Sequence, residues 1–256
     1  MMLSVVVPTY RRLPDLENCL ASIRKNSKGK CEIVVLSPEI DDELQGLCMR
    51  YTAAVRQDGS RVQGRRLMSL WGIINSGIEI ASHPFVCWLN DDCVVNDSWD
   101  SIALSYFDDT VGMVVLRTKG INGSPSYEVR GGFFGIPVAN YAILRKSSGV
   151  RFDENFSWFY GDADISLQVA MKTGLRVVST EEGLVVHAHR VDATRRENET
   201  DSRASRDLAL FDRKWRFTRR EGDRVIRMST LETALAFCRY VAREISHFLR
   251  QIVHAS

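Results

Sequence analysis

Three short runs of apolar residues do most to limit how this chain can fold: LSVVV at 3–7, CEIVVL at 31–36 and FVCWL at 85–89. None alternates apolar with polar, so each reads as a strand covered on both faces, as in a parallel sheet. Pro8 stops the first run, and a helix is expected after it. Pro14 suits the first turn, Asp15 and Glu17 favour the N-terminal dipole, and Leu13, Leu16, Leu20 and Ile23 share one face. Residues 41–50 read as a helix and TAAVR (52–56) as a short strand. From Arg65 to Ala81, Leu67, Leu70, Trp71, Ile74 and Ile78 keep helical spacing. A helix over Trp99–Tyr106 and a strand VGMVVL (111–116) follow. This alternation predicts a three-layer α/β domain that binds its ligand at the carboxyl ends of the strands.

WLNDDCVV (88–95) places acids at one such end. Asn-Asp-Asp is good turn chemistry, but unpaired charge after a buried strand is costly, which raises the question of what Asp91 and Asp92 hold. The 256 residues, 45% of them hydrophobic, can bury the core of one large domain with a small C-terminal appendage. A net charge of +2 names no partner. No stretch has the length of a membrane span, and the N-terminus lacks the regions of a secretory signal. The six cysteines form no CxxC pair, and reduced thiols in a cytoplasmic protein are expected.

Past residue 116 the texture changes. GINGSPS reads as a loop, and RGGFFG lacks the spacing and following helix of a dinucleotide fingerprint. FDENFSWFYGDADISLQVAMKTG carries aromatics, then acids, then a short helix over 163–173 closed by Gly174. LRVVST and GLVVHAH read as two strands. Residues 190–227 are dense in both charges, and acids interleaved among the arginines argue against nucleic-acid binding. Ser229 and Glu232 form a capping box for a helix over 229–253, striped by Leu231, Leu235, Cys238, Val241, Ile245, Phe248 and Ile252. That stripe must pack on the same chain, on a second copy or on a membrane surface.

The order SVVVPTYRR, NSGIEIASHPFVCWLNDD, GGFFG, FDENFSWFYGDADISLQVAMKTG and VVHAH resembles glycosyltransferase family 2 over roughly residues 3–190. The resemblance implies a GT-A fold, a Rossmann-like α/β/α domain with a mostly parallel sheet. Its nucleotide-sugar half would cover about 1–116 and its acceptor half 117–190, with 191–256 a charged, mostly helical extension. It implies an inverting, metal-dependent transfer from a nucleotide-diphosphate sugar to a saccharide, lipid-linked or protein acceptor. The alternative is a noncatalytic relative that binds the sugar nucleotide.

Residue by residue, the resemblance maps Asp92 to the acid that holds Mn²⁺ or Mg²⁺, Asp91 to a ribose contact and Asn90 to the motif's first position. A hard cation that keeps sites open for phosphate can manage with a single carboxylate. Pro8, Thr9, Tyr10 and Arg11 map to the nucleotide entry. The second strand ends Leu36-Ser37-Pro38-Glu39 where relatives carry an aspartate for the base, leaving Glu39 or Asp41 as substitutes. Arg65 and Arg66 could reach phosphate oxygens or form a solvated face. Gly132 would line the acceptor pocket. Asp162 maps to the catalytic base, although Gly161 replaces the acid usual before it. Asp164 aligns with the motif's last acid and is expected to bind substrate in the acceptor pocket; a helix would also accommodate Asp162 as its N-cap and Asp164 in its first turn. Trp158 offers a sugar-stacking face or core packing. His187 maps to a histidine that reaches the metal, with His189 two residues on. Location is expected to be cytoplasmic, free or peripheral at the cytoplasmic face of a membrane.

Overall fold

The computed structural model describes residues 2–59, 61–62, 65–66, 68–120, 136–188, 193–216, 218–221 and 224–227. The strands are β1 (Leu3–Pro8), β2 (Glu32–Ser37), β3 (Ala54–Gln57), the short β4 (Arg61–Val62) and β5 (Arg65–Arg66), β6 (Phe85–Trp88), β7 (Cys93–Val95), β8 (Val111–Gly120), β9 (Ala142–Arg145), β10 (Arg176–His187), β11 (Thr218–Glu221) and β12 (Arg224–Arg227). The helices are α1 (Leu13–Asn26), α2 (Asp42–Arg50), α3 (Leu70–Ile80), α4 (Trp99–Ser105), α5 (Gly161–Gln168), α6 (Ala193–Asn198) and α7 (Asp201–Trp215). Eight strands join one sheet in the order β3-β2-β1-β6-β9-β8-β10-β7. β3, β2, β1 and β6 run parallel, as do β8 and β10. β9 is antiparallel to both its neighbours, and β7 is antiparallel to β10.

The unalternated runs lie where a sheet covered on both faces would put them. Val5, Val6, Val7, Val35, Val86 and Cys87 are fully buried. Burying each such valine contributes about 1.5–3 kcal/mol. α3 approaches β1 closely because Gly77 faces it: a Cβ there would lie 2.3 Å from a Val6 methyl. On α1, Leu16, Cys19, Leu20 and Ile23 form the buried stripe.

Four local expectations shift. The helix expected from Arg65 begins at Leu70, because the Ser69 hydroxyl accepts the Gly72 N–H and caps it there; Arg65 lies in β5 instead. LRVVST and GLVVHAH fuse into β10, whose pairing with β8 changes register between Ser179 and Gly183. The helix of 163–173 starts earlier, at Gly161, and ends in a π-helical turn, Val169–Thr173, before Gly174 at φ 68°. Residues 190–227 hold α6, α7 and the β11–β12 hairpin. Phe211 and Trp215 of α7 belong to the hydrophobic core. The helix expected over 229–253, Gly132 and His189 lie outside the described residues, as do the side chains of Arg65 and Arg66. Among the described residues no helix is long and apolar enough to cross a membrane.

Candidate active site

β1 and β6 are parallel neighbours in which Val6 faces Trp88, so the residues just past their carboxyl ends meet. The Thr9 hydroxyl donates to Asp91 Oδ2 at 2.8 Å. The Arg12 guanidinium donates to Asp91 Oδ1 at 3.0 Å and lies 3.6 Å from Asp92 Oδ2. Both acids are buried, at 5% and 6% exposure. Burial pushes the Asp91 carboxyl up to about 6; Thr9 and Arg12 pull against it, and neighbouring Asp92 adds to the rise.

The arginine that reaches the acids is therefore Arg12. Arg11 sits at φ 56°, exposed, and pairs with Glu39 at 3.0 Å. Its guanidinium also lies 5.0 Å from the Tyr10 ring centroid. In an Arg-Arg pair the sequence offers two candidates, and the left-handed turn at the first sends the second inward. Asp41, a substitute considered for the base-binding acid, caps α2 by accepting the Leu44 N–H at 2.8 Å. The Asn90 amide donates to the Tyr141 hydroxyl at 3.0 Å.

β7 follows the acids directly and pairs with β10, setting Cys93 opposite His187. His187 Nε2 thereby comes within 3.0 Å of Asp92 Oδ1. The Tyr141 ring meets the imidazole edge-on, with centroids 5.5 Å apart. One ligand atom each from Asp92, Cys93 and His187 falls within 4.8 Å of the others. A buried carboxylate, an imidazole and a thiol gathered this closely fit a divalent transition ion. Burial raises the Cys93 thiol, so the oxygen and nitrogen donors are the ready ones.

The Asp162 side is tied to this cluster by residues 139–141. Ala139 N–H donates to the Asp162 carbonyl at 3.4 Å, the Trp88 indole donates to the Asn140 carbonyl at 3.1 Å, and Tyr141 receives Asn90. The Asp162 side chain is half-buried in the first turn of α5, and its Oδ1 accepts the Ala163 N–H at 2.9 Å. Burial raises its carboxyl above the ordinary aspartate range, against that backbone bond. Tyr160, at φ 63°, turns the chain into the helix, so Asp162 is not its N-cap.

Gly161, where the family carries an acid, touches Trp71. A Cβ there would lie 2.3 Å from the indole Cε2, and the indole also stacks on Phe152 at 5.0 Å. Asp164 faces inward with no exposed surface. It is bonded by Lys214 at 2.9 Å, Trp215 at 2.8 Å and Gln168 at 2.6 Å. Trp158 is half-buried, and the Tyr160 ring lies 5.3 Å from that of Phe211. The sequence reading singled out neither Lys214 nor Trp215, which lie in the charge-dense stretch 190–227.

A parallel half-sheet with acids at its carboxyl edge, joined to a mixed half-sheet that returns a histidine, defines an α/β protein of the GT-A type. The sequence profile of glycosyl transferase family 2 matches residues 4–172, and the chain belongs to that family. Among solved structures, a mannosyltransferase from Pyrobaculum calidifontis, in complex with GDP-Man and Mn²⁺, superposes with a TM-score of 0.62 at 17% identity, over 83% of this chain and 63% of that one. Staphylococcus aureus TarS 1–349 in complex with UDP-GlcNAc gives 0.58 at 18% identity, over 75% and 60%. TarS 1–349 without a named ligand gives 0.58 at 16% identity, over 73% and 60%. The chain thus spans less than two thirds of the length of these proteins. No curated protein sequence matches it.

Proposed function

We propose that this protein is a metal-dependent, inverting glycosyltransferase that moves a sugar from a nucleoside-diphosphate donor to an acceptor hydroxyl. The observation that carries the reading is the pair of buried Asp92 and half-buried His187 beside the strand ends, joined through residues 139–141 to Asp162. Support comes from family membership and from fold neighbours that hold GDP-Man and UDP-GlcNAc.

In this reading Thr9, Tyr10 and Arg12 line the nucleotide end, with Pro8 ending the strand and Asp91 toward the ribose. Arg11 and Glu39 flank the base, and Arg65 and Gly132 complete the phosphate and acceptor sides. Asp92 and His187 would hold the ion, which would neutralise charge developing on the leaving diphosphate. An imidazole nitrogen beside one carboxylate favours Mn²⁺ over Mg²⁺. Asp162 takes the acceptor hydroxyl proton as the new C–O bond forms opposite the breaking bond to the diphosphate, which inverts the anomeric carbon. A carboxyl raised by burial is better matched to that proton than an ordinary aspartate. A reducing, cytoplasmic setting belongs to the same proposal and rests on the sequence, whose six cysteines form no CxxC pair. A peripheral membrane contact or self-association through 229–253 rests on the helical stripe alone. Acceptors in scope are a saccharide, a lipid-linked sugar or a protein hydroxyl, and nucleic acid is not among them.

The test is release of nucleoside diphosphate from UDP-GlcNAc and from GDP-mannose, with Mn²⁺ and with chelator, beside calorimetric titration of the same donors. Metal-dependent release with either donor supports the reading. Tight binding without release would instead make the protein a sugar-nucleotide binder. Neither binding nor release overturns both.

A further inference from the structure

α7 lies beyond residues 4–172, which the family profile matches, yet its buried polar groups close on the segment that carries Asp162. Asp207 has no exposed surface. Its two oxygens accept the Ser157 N–H at 3.1 Å each and the Ser157 hydroxyl at 3.0 and 2.9 Å. Oδ2 also accepts the N–H groups of Trp158 and Phe159 at 2.9 Å. Successive backbone N–H groups converging on one carboxylate form an anion nest, filled here by the protein itself. Near the end of the same helix, the Lys214 ammonium lies 2.8 and 2.9 Å from the two oxygens of Asp164, and the Trp215 indole donates to Oδ1 at 2.8 Å.

Positions 207, 211, 214 and 215 are spaced to share one helix face. Phe211, between the two grips, packs on Tyr160. One stripe of α7 therefore holds residues 157–160 on one side of Asp162 and Asp164 on the other. Packing alone does not call for this. A buried ion pair is often no more stabilising than apolar residues of the same volume, whereas directional bonds fix an orientation.

We propose that α7 is the positioning element for Asp162: Asp207, Lys214 and Trp215 set where the 157–164 segment carries the base. The inference rests on the reading of Asp162 as the base. It makes α7 part of the catalytic unit, so the boundary expected at residue 190 would cut through that unit.

Two measurements on the full chain test it. The first is amide hydrogen exchange in Asp207→Asn, whose amide nitrogen cannot accept the bonds that the carboxylate oxygen does. Peptides covering 157–164 should exchange at least about tenfold faster while β1 and β2 stay protected, because local openings are independent of the global one. The second is nucleoside diphosphate release from UDP-GlcNAc or GDP-mannose with Mn²⁺. Trp215→Phe keeps the ring and loses only the N–H, and Lys214→Met removes the charge. Each should lower kcat by roughly ten- to a hundredfold with the donor KM within about twofold, the scale of a misplaced reacting group. Lys214→Arg should restore most of the loss.

Unchanged exchange at 157–164 overturns the proposal, as does near-normal kcat in both Trp215→Phe and Lys214→Met. A rise in donor KM at constant kcat overturns it too. If Asp207→Asn does not fold, exchange is read on Trp215→Phe. Should wild-type protein release nothing from either donor, the glycosyltransferase reading fails separately. The grip then stands on faster exchange confined to 157–164, or falls on its absence.

Discussion

The indole of Trp71 occupies the space that a side chain at position 161 would need. The approach, 2.3 Å from a Cβ built on Gly161 to Cε2, leaves room for hydrogen and nothing larger. The absence of the family's acid at this position is thereby matched by a bulky residue from α3, only 6% exposed and stacked on Phe152. The two positions act as one unit of volume.

Gly161→Ala should therefore destabilise the protein by about 1–3 kcal/mol, the usual cost of overpacking. Trp71→Phe costs no hydrogen bond among the described residues, because the indole N–H has no partner there. In the double variant the smaller ring should offset part of the alanine's cost, a coupling that urea denaturation of the four proteins measures. Gly161→Glu, which restores the family's acid, should lower the melting temperature further and raise no activity.

Asp162→Asn should fold, since the amide oxygen can still accept the Ala163 N–H that Asp162 Oδ1 holds. Turnover should fall by roughly a hundred- to ten-thousandfold, the scale of a lost general base. Because burial raises this carboxyl, wild-type kcat should climb with pH through a point above the ordinary aspartate range, protonation below it removing the base. Near-normal turnover in the variant, at matched melting temperature, would end the assignment.

Asp92→Ala should abolish the rise in melting temperature that Mn²⁺ gives the wild-type protein, because it removes the carboxylate facing His187. His187→Ala should weaken it less. Calorimetric titration of Mn²⁺ reads both, and wild-type affinity in Asp92→Ala would refute the metal site.

Asp91 makes stability pH-dependent in a stated direction. Its folded carboxyl is raised from 3.8 to about 6, so its contribution is fully present below pH 3.8 and is lost as pH rises through 6. Between about pH 4 and pH 8, wild-type protein should lose up to about 3 kcal/mol relative to Asp91→Asn. Urea unfolding without divalent ions checks this. A difference independent of pH would show that Asp91 ionises as freely in the folded chain as in the unfolded one.

Much of the fold was legible because its signals are short-range. The runs at 3–7, 31–36 and 85–89 needed only the identities of adjacent residues to read as buried parallel strands. Leu16, Leu20 and Ile23 needed only helical spacing. The resemblance placed Asp92 and His187 in one site, and the pairing of β7 with β10 is what brings them within 3.0 Å. Less legible were boundaries where one side chain decides. Ser69 moved a helix start past Arg65, and a register shift in β10 joined two expected strands.

By itself, then, the sequence determined the buried runs of β1, β2, β6 and β8, the face that α1 buries and the acids that follow β6, since side-chain direction repeats with a period of two or 3.6 residues. Tertiary structure decided which neighbour of a matched residue does the work. The left-handed backbone of Arg11 leaves Arg12 to meet Asp91 and Asp92. α3 brings Trp71 against Gly161, and α7 brings Asp207 to residues 157–159 and Lys214 and Trp215 to Asp164. These partners stand tens of residues apart in the chain. No local period relates them; the packing of helix on sheet does, because each buried carboxylate must find its donors wherever the fold delivers them.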